Sequence, residues 1–133
     1  MVGSPVLGDS SFCIGLLRRG QDPLRALALA ASERDLAVCG VVRCEVARRL
    51  QQPRTLKRFQ AFWNVMVNVP TDNRLWDEVE RTAWQLDRKG LMLPLTDVII
   101  ACCALRIGAV LPKYDAYFPP IPGLRLADRF GLY

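Results

Sequence analysis

No histidine occurs among the 133 residues. That absence excludes a Ser-His-Asp triad, a Cys-His pair, imidazole acid–base catalysis and any His ligand for a metal. Hydrolytic chemistry in this chain must use carboxylates, Lys, Tyr, Cys or a metal held by oxygen. A phosphate-cradling glycine loop is missing too. The first strand leads into Gly8-Asp9-Ser10-Ser11, with neither GxGxxG nor GxxxxGK[ST], which argues against a nucleotide-binding domain of that kind. The five cysteines (Cys13, Cys39, Cys44, Cys102, Cys103) are odd in number and form no CxxC. They read as reduced thiols, mostly in the core, rather than as disulfides or a metal site. Repeats and low-complexity linkers are absent. The longest weakly charged run, Leu91 to Leu105, contains Pro94, Thr96 and Asp97 and falls short of the ~20 apolar residues of a membrane span. The N-terminus lacks a basic stretch ahead of its first apolar residues, and Asp9 interrupts those. The expectation is a cytoplasmic protein with no signal peptide and no membrane partner.

What is present is ordinary for a globular chain: 51% apolar and 23% charged residues, enough for one domain over 1–133 with a real core. Lys and Arg number 18 against 13 Asp and Glu, a net +5 that permits an anionic partner without demanding one. Short apolar strands are expected at Pro5–Gly8, Leu36–Cys39, Val65–Val69, Ala109–Leu111 and Gly123–Leu126. Helices are expected after the caps Ser10 and Ser11 as far as Gly20, and from Pro23, capped by Asp22, to Glu33. Others run from Val41 to Leu50, from Pro53 through Trp63, from a Thr71 or Asp72 cap to Lys89, and from Leu95 to Arg106. The helix ending at Lys89 has apolar positions Leu75, Val79, Ala83 and Leu86 at helical spacing, and Gly90 closes it. The helix from Leu95 is apolar nearly all round and is expected at the centre of the molecule.

Strands alternating with helices imply an α/β fold, a parallel sheet covered by helices on both faces. In such sheets the functional crevice lies beyond the C-terminal strand ends. Asp9 follows the first strand and Asp115 the fourth. Each carboxylate has a plain reading beside a functional one. Asp9 can be a turn or cap residue. Glu45 has Arg48 and Arg49 at i+3 and i+4, a solvated ion pair worth ~0.3–0.5 kcal/mol, yet it borders the apolar stripe Val42, Val46, Leu50. Asp97 can be a carboxylate favoured by a helix N-terminus, although it is the only formal charge between Gly90 and Leu105. Asp115 by itself is a loop Asp.

Taken together, the residues resemble the PIN domain, and within it the VapC-type toxins of bacterial toxin–antitoxin pairs. The matching pieces are Asp9-Ser10-Ser11 after an apolar strand and Val42-Arg43-Cys44-Glu45-Val46. They continue with Leu93-Pro94-Leu95-Thr96-Asp97-Val98-Ile99-Ile100-Ala101, then Tyr114-Asp115-Ala116-Tyr117-Phe118, and Pro122-Gly123-Leu124 before the last strand. Their order and spacing fit over nearly the whole chain, and Pro-x-x-Asp-x-x-Ile-Ala is the most specific piece. The resemblance implies a PIN-like sandwich with strand order 3-2-1-4-5. It also implies a Mg²⁺- or Mn²⁺-dependent endoribonuclease whose metal ligands are Asp9, Glu45, Asp97 and Asp115, supported by Ser11 and Thr96. It further implies a homodimer and a cognate antitoxin protein that silences it. One departure stands out. The family often carries Thr or Ser two residues before the last Asp and Arg just before it; here these are Lys113 and Tyr114, with Ala116 following. The other reading is a catalytically weak PIN-fold module that binds RNA or a protein partner.

The chemistry agrees with the metal reading. Without histidine, phosphodiester hydrolysis needs another source of nucleophile, and divalent cations on oxygen ligands supply one while holding phosphate charge. Between Arg43 and Arg58 six basic residues (Arg43, Arg48, Arg49, Arg54, Lys57, Arg58) stand against one acid, Glu45. They are either a solvated face or a path for RNA, with Arg48, Arg49 and Lys113 the candidate phosphate contacts. Phe59, Phe62 and Trp63 share helical spacing and read as packing residues rather than base-stacking platforms.

Overall fold

The computed structural model describes residues 4–8, 35–112 and 121–127, with Gly20, Asp22, Leu24, Arg25 and Ala28. Five strands are seen: β1 (Val6–Leu7), β2 (Leu36–Cys39), β3 (Val67–Val69), β4 (Val110–Pro112) and β5 (Arg125–Ala127). Four helices are complete: α1 (Gly40–Ala47), α2 (Pro53–Asn64), α3 (Asn73–Arg88) and α4 (Leu95–Ile107). The two helices expected between Ser10 and Glu33 lie largely outside the described residues. Leu24, Arg25 and Ala28 are helical, and the Asp22 carboxylate accepts the Leu24 amide at 3.1 Å, as an Asp cap does.

The sheet has the order β3-β2-β1-β4-β5, and every pair is parallel. This is the expected α/β architecture with strand order 3-2-1-4-5. Strand β1 is short but clamped from both sides. The Val6 amide donates to Asp35 C=O at 2.9 Å, and Pro5 C=O accepts from the Val110 amide at 2.9 Å. All four residues of β2 are buried, so both faces of the sheet are covered. Helix α4 is buried along Val98–Ala104, the all-round apolar helix its sequence describes. Gly108 ends it at φ +65°, a left-handed position that favours glycine.

Helix α3 buries Leu75, Val79 and Leu86, and the Asp72 carboxylate caps it by accepting the Leu75 amide at 3.0 Å. Several boundaries shift by one to three residues from the sequence expectation, and hydrogen bonds account for two of them. Strand β3 begins at Val67 because the amides of Val65 and Met66 donate to Phe62 and Trp63 carbonyls at 3.2 and 3.1 Å. The closing turn of α2 thus takes up Met66 and Val65, the latter a residue of high strand propensity. Helix α1 ends at Ala47, and the Arg49 and Leu50 amides bond three residues back at 3.0 and 3.1 Å, a tightened last turn.

The same Asp72 holds Arg106 of α4 in a two-pronged pair, with both N···O distances 2.7 Å, and Arg106 also donates to Pro70 C=O at 3.1 Å. The guanidinium bonds, helped by the Leu75 amide, lower the Asp72 carboxyl to about 2. A depressed carboxyl stabilises the fold above its unfolded value and loses that contribution as pH falls through the folded value. Asp72→Asn keeps a cap oxygen and removes the charge. Its urea midpoint should fall below wild type at pH 6, and the gap should close between about pH 4 and pH 2. A gap that does not change across that range would show that the pair contributes no stability.

Candidate active site

Topology brings the helices that carry Glu45 and Asp97 to one edge. Helix α1 starts directly after β2, at the C-terminal edge of the sheet. Helix α4 ends just before β4 begins, so its N-terminus lies toward that same edge. Strands β1 and β4 are neighbours there, and the chain leaves both on this side. This is the edge at which open parallel sheets place their sites.

Asp97 stands in the first turn of α4. Pro94 precedes the helix, and its carbonyl accepts the amides of Asp97 and Val98 at 3.0 and 3.3 Å. Proline fixes the entry angle and leaves the first helical amides facing the edge, where the helix dipole favours a carboxylate. Asp97 and Thr96 are both half-buried, between the exposed Leu95 and the buried Val98. Glu45 is half-buried on α1, and α1 packs against α4.

Behind Glu45 lies a thiol pair. The Cys103 thiol of α4 hydrogen-bonds the Cys39 sulfur and lowers its pKa, and the first amides of α1 add to this. Burial and the Glu45 charge push the other way. Cys103 is raised by the same bond and by burial. Both residues are fully buried, so they act as packing groups that join β2 to α4. Cys39, Cys44, Cys102 and Cys103 are free, and only Cys44 among them is exposed. That agrees with the reading of reduced thiols; Cys13 lies outside the described residues.

Asp9, Ser11, Lys113 and Asp115 lie outside the described residues. Among the described residues no three potential metal ligands come together. Glu45 and Asp97 are hard oxygen donors, the type that suits Mg²⁺ or Mn²⁺ better than thiophilic metals. Arg48 closes α1 and is exposed, as is Arg49. Phe59 and Trp63 are buried and Phe62 is half-buried, so this set packs the core. One arrangement escaped the sequence reading. Arg43 is not a loose member of the basic run but is fixed on Asn64, Asn68 and Trp63. Its angular position on α1, about 100° per residue, was the available signal.

The family follows from comparison. The PIN-domain model matches residues 6–124. The chain belongs to the PIN-domain family, a family of nucleases. A search of curated protein sequences gives no match. Among solved structures, a chain of DNA-bound VapBC from Salmonella typhimurium superposes with TM-score 0.74 at 21% identity, covering 94% of this chain and 98% of that one. A chain of VapBC2 from Rickettsia felis, bound to a promoter DNA fragment, gives 0.72 at 18% identity, covering 92% and 97%. A chain of VapBC-1 from nontypeable Haemophilus influenzae gives 0.63 at 19%, covering 84% and 87%. No described helix is long and apolar enough to cross a membrane.

Proposed function

We propose that this protein is a VapC-like endoribonuclease toxin, dependent on Mg²⁺ or Mn²⁺, cytoplasmic, homodimeric, and silenced by a cognate antitoxin. The observation that carries the reading is the PIN-family match over residues 6–124, with Glu45 and Asp97 at the C-terminal edge of the sheet. The fold neighbours in VapBC assemblies support the antitoxin. Asp9, Glu45, Asp97 and Asp115 would hold the metal, directly or through water. Bound there, the cation supplies an activated water and neutralises phosphate charge. Ser11 and Thr96 orient the carboxylates. Arg48, Arg49 and Lys113 draw the RNA phosphates to the edge.

The test is cleavage of RNA with Mg²⁺ or Mn²⁺ and arrest in EDTA. A water-derived nucleophile leaves a 5′-phosphate and a 3′-OH. Ends carrying 2′,3′-cyclic phosphate would overturn the mechanism. Binding of RNA without any cleavage under these conditions would identify the non-cleaving module instead, the outcome favoured by the Lys113 and Tyr114 departure.

A further inference from the structure

The run of basic residues from Arg43 to Arg58 divides into two surfaces. On α1 the buried Val42 and Val46 mark the core direction. At about 100° per residue, Glu45 lies roughly 80° to one side of that direction and Arg43 roughly 80° to the other. Glu45 and Arg43 therefore take opposite flanks of α1, and Arg43 turns toward α2 and β3. There the guanidinium donates to Asn68 Oδ1 at 3.2 Å and Asn64 Oδ1 at 3.4 Å, and lies 5.3 Å from the Trp63 ring centroid. The amide of Asn68 is itself fixed, donating to the Trp63 and Met66 carbonyls at 3.0 Å each. All of these partners are neutral. The Arg43 charge is thus held in place without being cancelled, unlike Arg106 on Asp72.

Helix α2 continues this surface. Its outer face carries Arg54, Lys57, Arg58, Ala61 and Asn64, opposite the buried Phe59 and Trp63. The helix contains no acidic residue. Only Arg58 has an ion-pair partner among the described residues, Asp22 at 3.6 Å. From Arg54 to Asn64 the face spans about 15 Å, and Arg43 extends it. A cationic strip whose far end, Arg43, is held in place by Asn64 and Asn68 matches a repeating phosphate backbone, whose affinity comes from neutralised charges.

We propose that the outer face of α2 and the Arg43 flank of α1 form a second RNA contact, a phosphate-backbone track separate from the carboxylate edge. This rests on the ribonuclease reading and adds to it: the track holds RNA outside the segment being cut. It favours long substrates over short ones.

The test is binding of a 20-nucleotide single-stranded RNA in EDTA across 50–200 mM salt, for wild type, Arg54→Gln/Lys57→Gln and the control pair Arg74→Gln/Arg81→Gln on α3. Each single-strand phosphate contact adds about 0.7 to the slope of log affinity against log salt. The α2 pair should flatten the slope by about 1.4, making the salt-induced loss of affinity about sevenfold smaller, and the control pair should not. The α2 pair should also slow cleavage of long RNA in Mg²⁺ while leaving tetranucleotide cleavage unchanged. An unchanged slope, or an equal effect from the control pair, overturns the track. So does a loss confined to duplex DNA or to an acidic peptide. RNA binding with the expected slope but no cleavage in metal would defeat the ribonuclease reading and leave the track standing. Cleavage with an unaltered slope would do the reverse.

Discussion

Asp97→Asn should lower RNA cleavage by at least about 100-fold and leave the fold intact. Loss of a group that merely supports a metal ligand costs about 10–100-fold, so loss of a ligand costs more. Asn has nearly the same shape and is itself at home at a helix start, so α4 should keep its first turn. The plain alternative makes a different forecast. If Asp97 serves only the helix dipole, the variant should stay active and lose about 0.3–1 kcal/mol of stability. Rate assays with Mg²⁺ beside thermal melts separate the two. Expression in cells should agree: the parent slows growth and the variant relieves it. Equal growth inhibition by both would place the toxicity elsewhere.

Phe59→Ala should destabilise the protein by about 3–5 kcal/mol, the usual cost of emptying a large aromatic site. Phe59 is 1% exposed and its ring lies 5.3 Å from that of Trp63, which is 2% exposed. The loss is large beside the ~5–15 kcal/mol that holds a typical domain together. Urea unfolding would measure it. Unchanged stability with weakened RNA binding would instead make Phe59 a base-stacking surface.

Much of the fold was legible because two of the helices carried their own punctuation. Asp72 before α3, Gly90 after it and Pro53 at the start of α2 mark ends through backbone chemistry that needs no tertiary context. The apolar circumference of α4 announced its central place. Val65 and Met66 misled because strand propensity is a weak local preference, overridden once α2 could close its last turn on their amides. The site residues were proposed by resemblance alone, and of the four carboxylates the described residues include Glu45, on the helix after β2, and Asp97, in the first turn of α4. The division of the basic run was harder to see. Residues two apart on a helix point to nearly opposite sides, and a count of charges along the chain hides that. The angular position of Arg43 gave its flank, but its anchoring partners Asn64 and Asn68 are 21 and 25 residues away and carry no local signal.

The two described carboxylates ride on elements of unequal tenacity. Helix α4 is buried through seven consecutive residues, whereas α1 buries only Val42 and Val46. Amide exchange through α4 therefore belongs with the last unit to open, and that of α1 with an earlier one. Asp97 behaves as the fixed jaw of a vice and Glu45 as the sliding one. In the proposed site the position of Asp97 is set by the whole core, and that of Glu45 can adjust at modest cost in free energy.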